Sequence, residues 1–190
     1  MTNTAASNGL DALADELLMK RIASGDAAAF STLVNRHARR FFGAAYRVAL
    51  NKEDAEDIVQ EAFCKLWSGK AQWKDDRGAK FTTWFYRIVC NQAIDHMAKK
   101  GRGYGGELDE NTPSGDANAE EELLSSRRTQ DIHAALAELP ERQRTAITLF
   151  YNEELSQKEA AEVMGITVKA VESLLGRAKQ ALKERMLAYA

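Results

Sequence analysis

The sequence predicts an all-α protein made of two small helical domains joined by a flexible acidic linker. Three observations predict it. Apolar residues recur at three- and four-residue steps through most of the 190 residues, the spacing of one buried helix face. No segment alternates apolar with polar residues for long enough to argue a strand. Residues 101–122 combine Gly, Ser, Pro and acid with almost no apolar content, so they cannot bury enough surface to offset their chain entropy. The expected boundaries are a disordered tail over residues 1–14, a first domain over 15–100, the linker over 101–125 and a second domain over 126–190.

The elements follow in order. Asp15 through Ala23 is amphipathic and is broken by Gly25-Asp26. Asp26 caps a second run in which Phe30, Leu33, Val34, His37, Phe41 and Tyr46 share a face. Lys52-Glu53-Asp54 opens a third helix carrying Ile58, Val59, Ala62, Phe63, Leu66 and Trp67. A fourth helix runs from about Lys80 to Lys100, with Phe81, Trp84, Phe85 and Ile88 as its core stripe. Beyond the linker, Leu123 to Leu139 forms one helix stopped by Pro140, and Glu141 to Phe150 forms another.

The last two helices read as a helix-turn-helix over residues 157–171. Ala161 is small where two helices must cross closely, Gly165 can take the φ > 0 turn, and Val171 anchors the second helix. Thr167 caps that second helix. In such a pair the outward side chains near the start of the second helix reach base edges in the major groove. Here that set is Thr167, Lys169, Glu172, Ser173 and Arg177.

Two further faces carry chemistry. On the third helix Asp57, Gln60 and Glu61 stand at i, i+3 and i+4 and share one side. On the fourth, Arg87, Asn91 and Asp95 face away from the core stripe. Lys80 precedes that face, Lys99, Lys100 and Arg102 follow it, and Trp73 adjoins it in a loop. Cations bracketing polar amides beside an aromatic ring suit a nucleic-acid backbone track with a stacking surface.

Charge and composition exclude other classes. The net charge of −2 is unusual for a DNA-binding protein. Residues 1–100 hold 15 Lys and Arg against 12 Asp and Glu, residues 101–126 hold 1 against 7, and residues 127–190 hold 10 against 9. The acidity is therefore central, and neither flank holds DNA tightly alone. A larger partner supplying the affinity is expected. No run spans a bilayer, and residues 1–8 lack the basic-then-apolar order of a secretion signal, so the expected location is the cytoplasm. Cys64 and Cys90 each sit inside an apolar helical pattern and read as core residues. With His37, His96 and His133 scattered, no metal cluster, cofactor loop or catalytic set is expected, and the protein reads as no enzyme.

The order of these features resembles the group IV, or extracytoplasmic-function, family of bacterial RNA polymerase sigma factors, from about Glu16 to Met186. The resemblance is carried by residues 25–30 (GDAAAF), 54–63 (DAEDIVQEAF), 81–88 (FTTWFYRI), 136–144 (LAELPERQR) and the terminal helix-turn-helix. It implies regions 2 and 4 without the intervening region 3 domain, in a monomer without membrane insertion. Asp57, Gln60 and Glu61 would dock on the β′ clamp helices of core RNA polymerase. Trp73, Lys80, Arg87, Asn91, Lys99, Lys100 and Arg102 would open and hold the −10 element as single-stranded promoter DNA. The linker would thread toward the RNA exit path, residues 136–150 would sit against the β flap, and the last helix would read the double-stranded −35 element. An anti-sigma factor would control the whole. Many relatives carry Arg where this chain has Glu172, so the −35 sequence does not carry over. The alternative reading is a sigma-like decoy that sequesters an anti-sigma factor without touching promoters. A decoy has no need of Lys169, Arg177, Asn91 and the Lys99-Lys100 pair.

Overall fold

Short-range chemistry sets the helix boundaries in the computed structural model, which describes residues 9–73, 80–100 and 134–188. Helix α1 (Asp15–Ala23) ends at Ser24, and Gly25 turns the chain with φ 87°. The Asp26 carboxylate then accepts hydrogen bonds from the amides of Ala28 and Ala29, both at 3.0 Å, and opens α2 (Ala27–Ala49). Asn51 caps α3 (Lys52–Trp67) by accepting from the Asp54 amide at 2.9 Å. Helix α4 spans Phe81–Lys100. In the second domain α5 (Glu141–Ile147) runs on into a wide π-helical turn, Thr148–Asn152, followed by α6 (Gln157–Met164) and α7 (Val168–Ala188). Among the described residues there is no strand.

Helices α1 to α4 close around an aromatic cluster. Phe41 of α2 is fully buried and meets Phe85 at 4.6 Å and Tyr86 at 4.9 Å between ring centroids, while Phe63 of α3 meets Phe85 at 4.8 Å. Such tilted and edge-on pairs add to the area they bury. Residues 9–14, the described end of the expected N-terminal tail, are tied to this domain. Leu10 is buried, and Arg36 donates to the Leu13 and Asp11 carbonyls at 2.9 and 3.0 Å and pairs with Asp15 at 2.6 Å. His37 also meets Asp15, at 2.8 Å. Burial holds the His37 pKa below its ordinary value, against the opposing pull of the Asp15 charge.

Three sequence expectations are corrected. Cys64 is exposed, because it lies on the strip of α3 between the buried Phe63 and Leu66 and the solvent side, whereas Cys90 is buried as expected. Trp67, expected on the apolar face, is 45% exposed as the last residue of its helix and packs one side on Phe30 at 5.0 Å. The helix from Glu141 does not stop at Phe150 but widens into the π turn to Asn152. The expected linker over 101–125 lies outside the described residues, as does most of the predicted helix from Leu123 to Leu139, of which residues 134–137 are described and helical.

Gly176 stands mid-helix in α7, exposed, with nothing within 4 Å of where a Cβ would be. Glycine inside an exposed helix costs about 0.5–1 kcal/mol relative to alanine. Gly176→Ala is expected to raise stability by about that amount, read as a higher denaturant midpoint at unchanged slope. A lower midpoint would contradict the packing around α7.

Candidate nucleic-acid and polymerase interface

The helix-turn-helix is built by reciprocal capping. Ser156 accepts from the Glu159 amide at 3.2 Å while the Glu159 carboxylate accepts from the Ser156 amide at 2.9 Å, which fixes the start of α6. These hydrogen bonds hold the Glu159 carboxyl below its usual range. Gly165 ends α6 at φ 64°, ψ 34°, and the Ile166 amide returns to the Ala161 carbonyl at 3.1 Å. Thr167 then caps α7 by accepting from the Ala170 amide at 3.2 Å. Val171, Leu175 and Ala178 turn inward, and Ala161 is buried at the crossing. Lys169, Glu172, Ser173 and Arg177 are all exposed on the opposite side of α7, as is Thr167 at its start. The sequence-derived geometry of this motif is thus present residue by residue.

Helix α4 buries one side against the core, with Phe81, Phe85, Tyr86, Val89, Cys90 and Ala93 inside. It leaves Arg87, Asn91 and Asp95 exposed along one side, with Lys80 and Lys99 exposed at its ends. The Lys100 side chain and Arg102 fall outside the described residues. Trp73 is half-buried, and its indole Nε1 is enclosed without a hydrogen-bond partner. On α3, Asp57, Gln60 and Glu61 are exposed together. Glu61 pairs with Lys65 at 2.8 Å, and that hydrogen bond holds its carboxyl below the usual range.

Most of the predicted residues gather into three places, while Lys80, Asn91 and Lys99 stand exposed along α4 and at its start, outside the cleft lining. Trp73, Arg87 and Thr167 line one cleft of about 800 Å³ between α4 and α6–α7, with Trp84, Lys158 and Glu162. Lys169, Glu172, Ser173 and Arg177 lie along the exposed side of α7, and Asp57, Gln60 and Glu61 form a separate group on α3. Sequence reasoning missed two polar groups that organise these surfaces. Arg144, 3% exposed, sends its guanidinium toward the carbonyls of Leu136, Ala137 and Leu139 at 3.3–3.4 Å, ending the short helix before Pro140. Glu153, 4% exposed, pairs with groups of the first domain. The first could have been sought as a cation near a helix C-terminus, but no local signal marks the second.

Residues 33–103 match the sigma-70 region 2 model and residues 129–182 match the sigma-70 region 4 model. The ECF RNA polymerase sigma-E factor of Escherichia coli is 33% identical over 92% of this chain and 95% of its own length. The chain belongs to the extracytoplasmic-function group of the sigma-70 family. The sigma factor also superposes on the solved structure of CnrH in complex with the cytosolic domain of CnrY, at TM-score 0.68 and 30% identity, covering 93% of this chain and 99% of that one. A second solved structure, the sigma factor RpoE in complex with the anti-sigma factor NepR from Bartonella quintana, shares the fold at TM-score 0.65 and 24% identity, over 82% and 94% of the two chains. A sigma factor directs promoter recognition at transcription initiation and is not itself an enzyme. Among its described residues no helix is long and apolar enough to cross a membrane.

Proposed function

We propose that this sigma factor docks on the β′ clamp helices of core RNA polymerase through Asp57, Gln60 and Glu61, and reads two promoter elements with α4 and α7. The observation that carries the reading is the capped α7, which turns Lys169, Glu172, Ser173 and Arg177 outward from a buried apolar stripe. Lys169 and Arg177 suit phosphate or guanine contacts, and Glu172 suits a cytosine amino group or the orientation of Arg177. At the −10 element, Asn91 and Trp73 hold an unpaired base, and Lys80, Arg87, Lys99, Lys100 and Arg102 follow the backbone. Residues 136–150 meet the β flap, and the acidic linker runs toward the RNA exit path. The factor acts in the cytoplasm as a monomer under the control of an anti-sigma factor. The near-neutral domains fit this arrangement, because core polymerase makes two modest DNA contacts effectively intramolecular.

In vitro transcription with core polymerase on a randomised promoter library tests the reading. Enrichment of two separated sequence blocks is expected, and transcripts without sequence enrichment would sink it. Core docking has its own test. Asp57→Lys with Glu61→Lys places two cations where two exposed carboxylates stand, and replacing attraction with repulsion is expected to weaken association about tenfold or more. Wild-type holoenzyme formation on a native gel would remove the docking assignment.

A further inference from the structure

We propose that Gly176 is a specificity-determining position of the −35 contact: by carrying no side chain it lets Glu172 reach the amino group of one cytosine in the duplex. This rests on the reading of α7 as the helix that enters the major groove. Gly176 lies exposed inside the 21-residue helix α7. It stands four residues after Glu172, three after Ser173 and seven after Lys169, spacings that put all four on one side of a helix. Gly176 is therefore in the middle of the reading face.

Nothing in the fold asks for a glycine there. The backbone at Gly176 is helical, without the positive φ that Gly25, Gly69 and Gly165 adopt, and a Cβ would meet nothing within 4 Å. Glycine inside an exposed helix is destabilising relative to alanine, so in the free protein this residue only costs stability. What it supplies is a close approach of the backbone to a ligand. An α-helix with its side chains is about 10–12 Å across and the major groove about 12 Å wide, so a single side chain decides how deeply the helix seats. Helical side chains lean toward the N-terminus, and one at position 176 would cover the turn that holds Glu172 and Ser173. Its absence uncovers both, and both are shorter than the Lys169 and Arg177 side chains that flank them.

The chemistry of Glu172 selects the base. Its carboxylate makes no ion pair among the described residues. Arg177 follows five residues later, about 140° round the helix axis, outside the three- and four-residue spacings at which side chains meet. A carboxylate desolvated in a groove walled by phosphates is unfavourable unless it accepts from a donor. Guanine and thymine present acceptors there, and adenine sets its N7 acceptor beside its amino group. Cytosine alone offers an amino donor with no acceptor next to it. Ser173 accommodates any base, so Glu172 carries the selection at this turn of α7.

The test compares holoenzymes of the wild type, Glu172→Gln, Gly176→Ala and Gly176→Leu on the randomised promoter library and on the promoter that the wild type enriches. The wild type is expected to select a cytosine at one upstream position, and replacing that base is expected to weaken binding about tenfold. Glu172→Gln is expected to move the preference at that position alone to adenine, the base that pairs with a side-chain amide. Gly176→Leu is expected to erase the cytosine preference at the same position and to weaken binding of the wild-type promoter about tenfold. Gly176→Ala falls between them although it stabilises the helix. Weaker binding by a more stable variant separates access to DNA from folding, because a purely structural role would move both together. Holoenzyme formation on a native gel and the denaturant midpoint show that each variant is folded. Unchanged selection and binding in Gly176→Leu, or a Glu172→Gln holoenzyme that selects the same upstream bases as the wild type, each overturns the proposal. A wild-type holoenzyme that enriches no upstream block would instead remove the reading of α7, and the proposal with it.

Discussion

Replacing Lys169 and Arg177 together with Ala is expected to abolish −35-dependent transcription while leaving holoenzyme formation intact. Both side chains are exposed on α7 and outside its buried stripe of Val171, Leu175 and Ala178. Their loss therefore leaves helix packing unchanged. Each specific contact of this kind contributes about 1–3 kcal/mol of discrimination, and two of them amount to at least about thirtyfold in promoter affinity at about 1.4 kcal/mol per factor of ten. Runoff transcription on a promoter with both elements reads the loss, and a native gel with core polymerase reads the retained association. Unchanged promoter output would refute the assignment of α7. The single variants separate the two roles. A residue that touches only phosphate weakens all sequences alike, whereas one that touches a base edge relaxes selectivity at one position.

The second large effect is on stability. Phe41→Ala removes a fully buried ring that meets Phe63, Phe81, Phe85 and Tyr86 at centroid distances of 4.6–6.4 Å. Phenylalanine-to-alanine changes in cores cost about 3–5 kcal/mol, against a typical domain stability of about 5–15 kcal/mol. For a domain of this size the melting temperature is expected to fall by more than about 12 °C, measured by circular dichroism. Phe41→Leu refills most of the cavity and is expected to recover more than half of that loss. A drop of less than about 5 °C for the alanine variant would mean that the aromatic cluster is not the organising core of α1–α4.

What the sequence made legible was local. Asp26 before α2, Gly165 and Thr167 around the turn, and the apolar steps of α2 and α3 are each decided within about four residues of themselves, which is the range of helix capping and periodicity. The same holds for Asp57, Gln60 and Glu61, whose shared exposure follows from spacing alone. Cys64 was misread because an apolar neighbourhood in sequence is not a buried direction in space, and one residue step rotates a helix by about 100°. Trp67 fails for a related reason, since the last residue of a helix can overhang the core its predecessors fill. Glu153 was illegible in a stronger sense. Its partners Tyr86 and Arg40 lie 67 and 113 residues away, and nothing in the pair Glu153-Glu154 distinguishes a carboxylate that will be buried from one that will not.

The π turn at Thr148–Asn152 has a bearing on how such factors can be recombined. Its wide ring is closed by the Glu153 amide donating to the Thr148 carbonyl five residues back, at 3.1 Å. It holds one residue more than an α-helical turn would, and that residue sets the angular phase of everything after it. A graft that joins this chain's α5 to another factor's promoter-reading helices inherits the phase only if all five residues are kept. One residue fewer would swing the incoming helices by about 100° about the α5 axis. The transferable unit for building hybrid factors therefore begins before Thr148, although the DNA-reading motif itself starts only at Ser156.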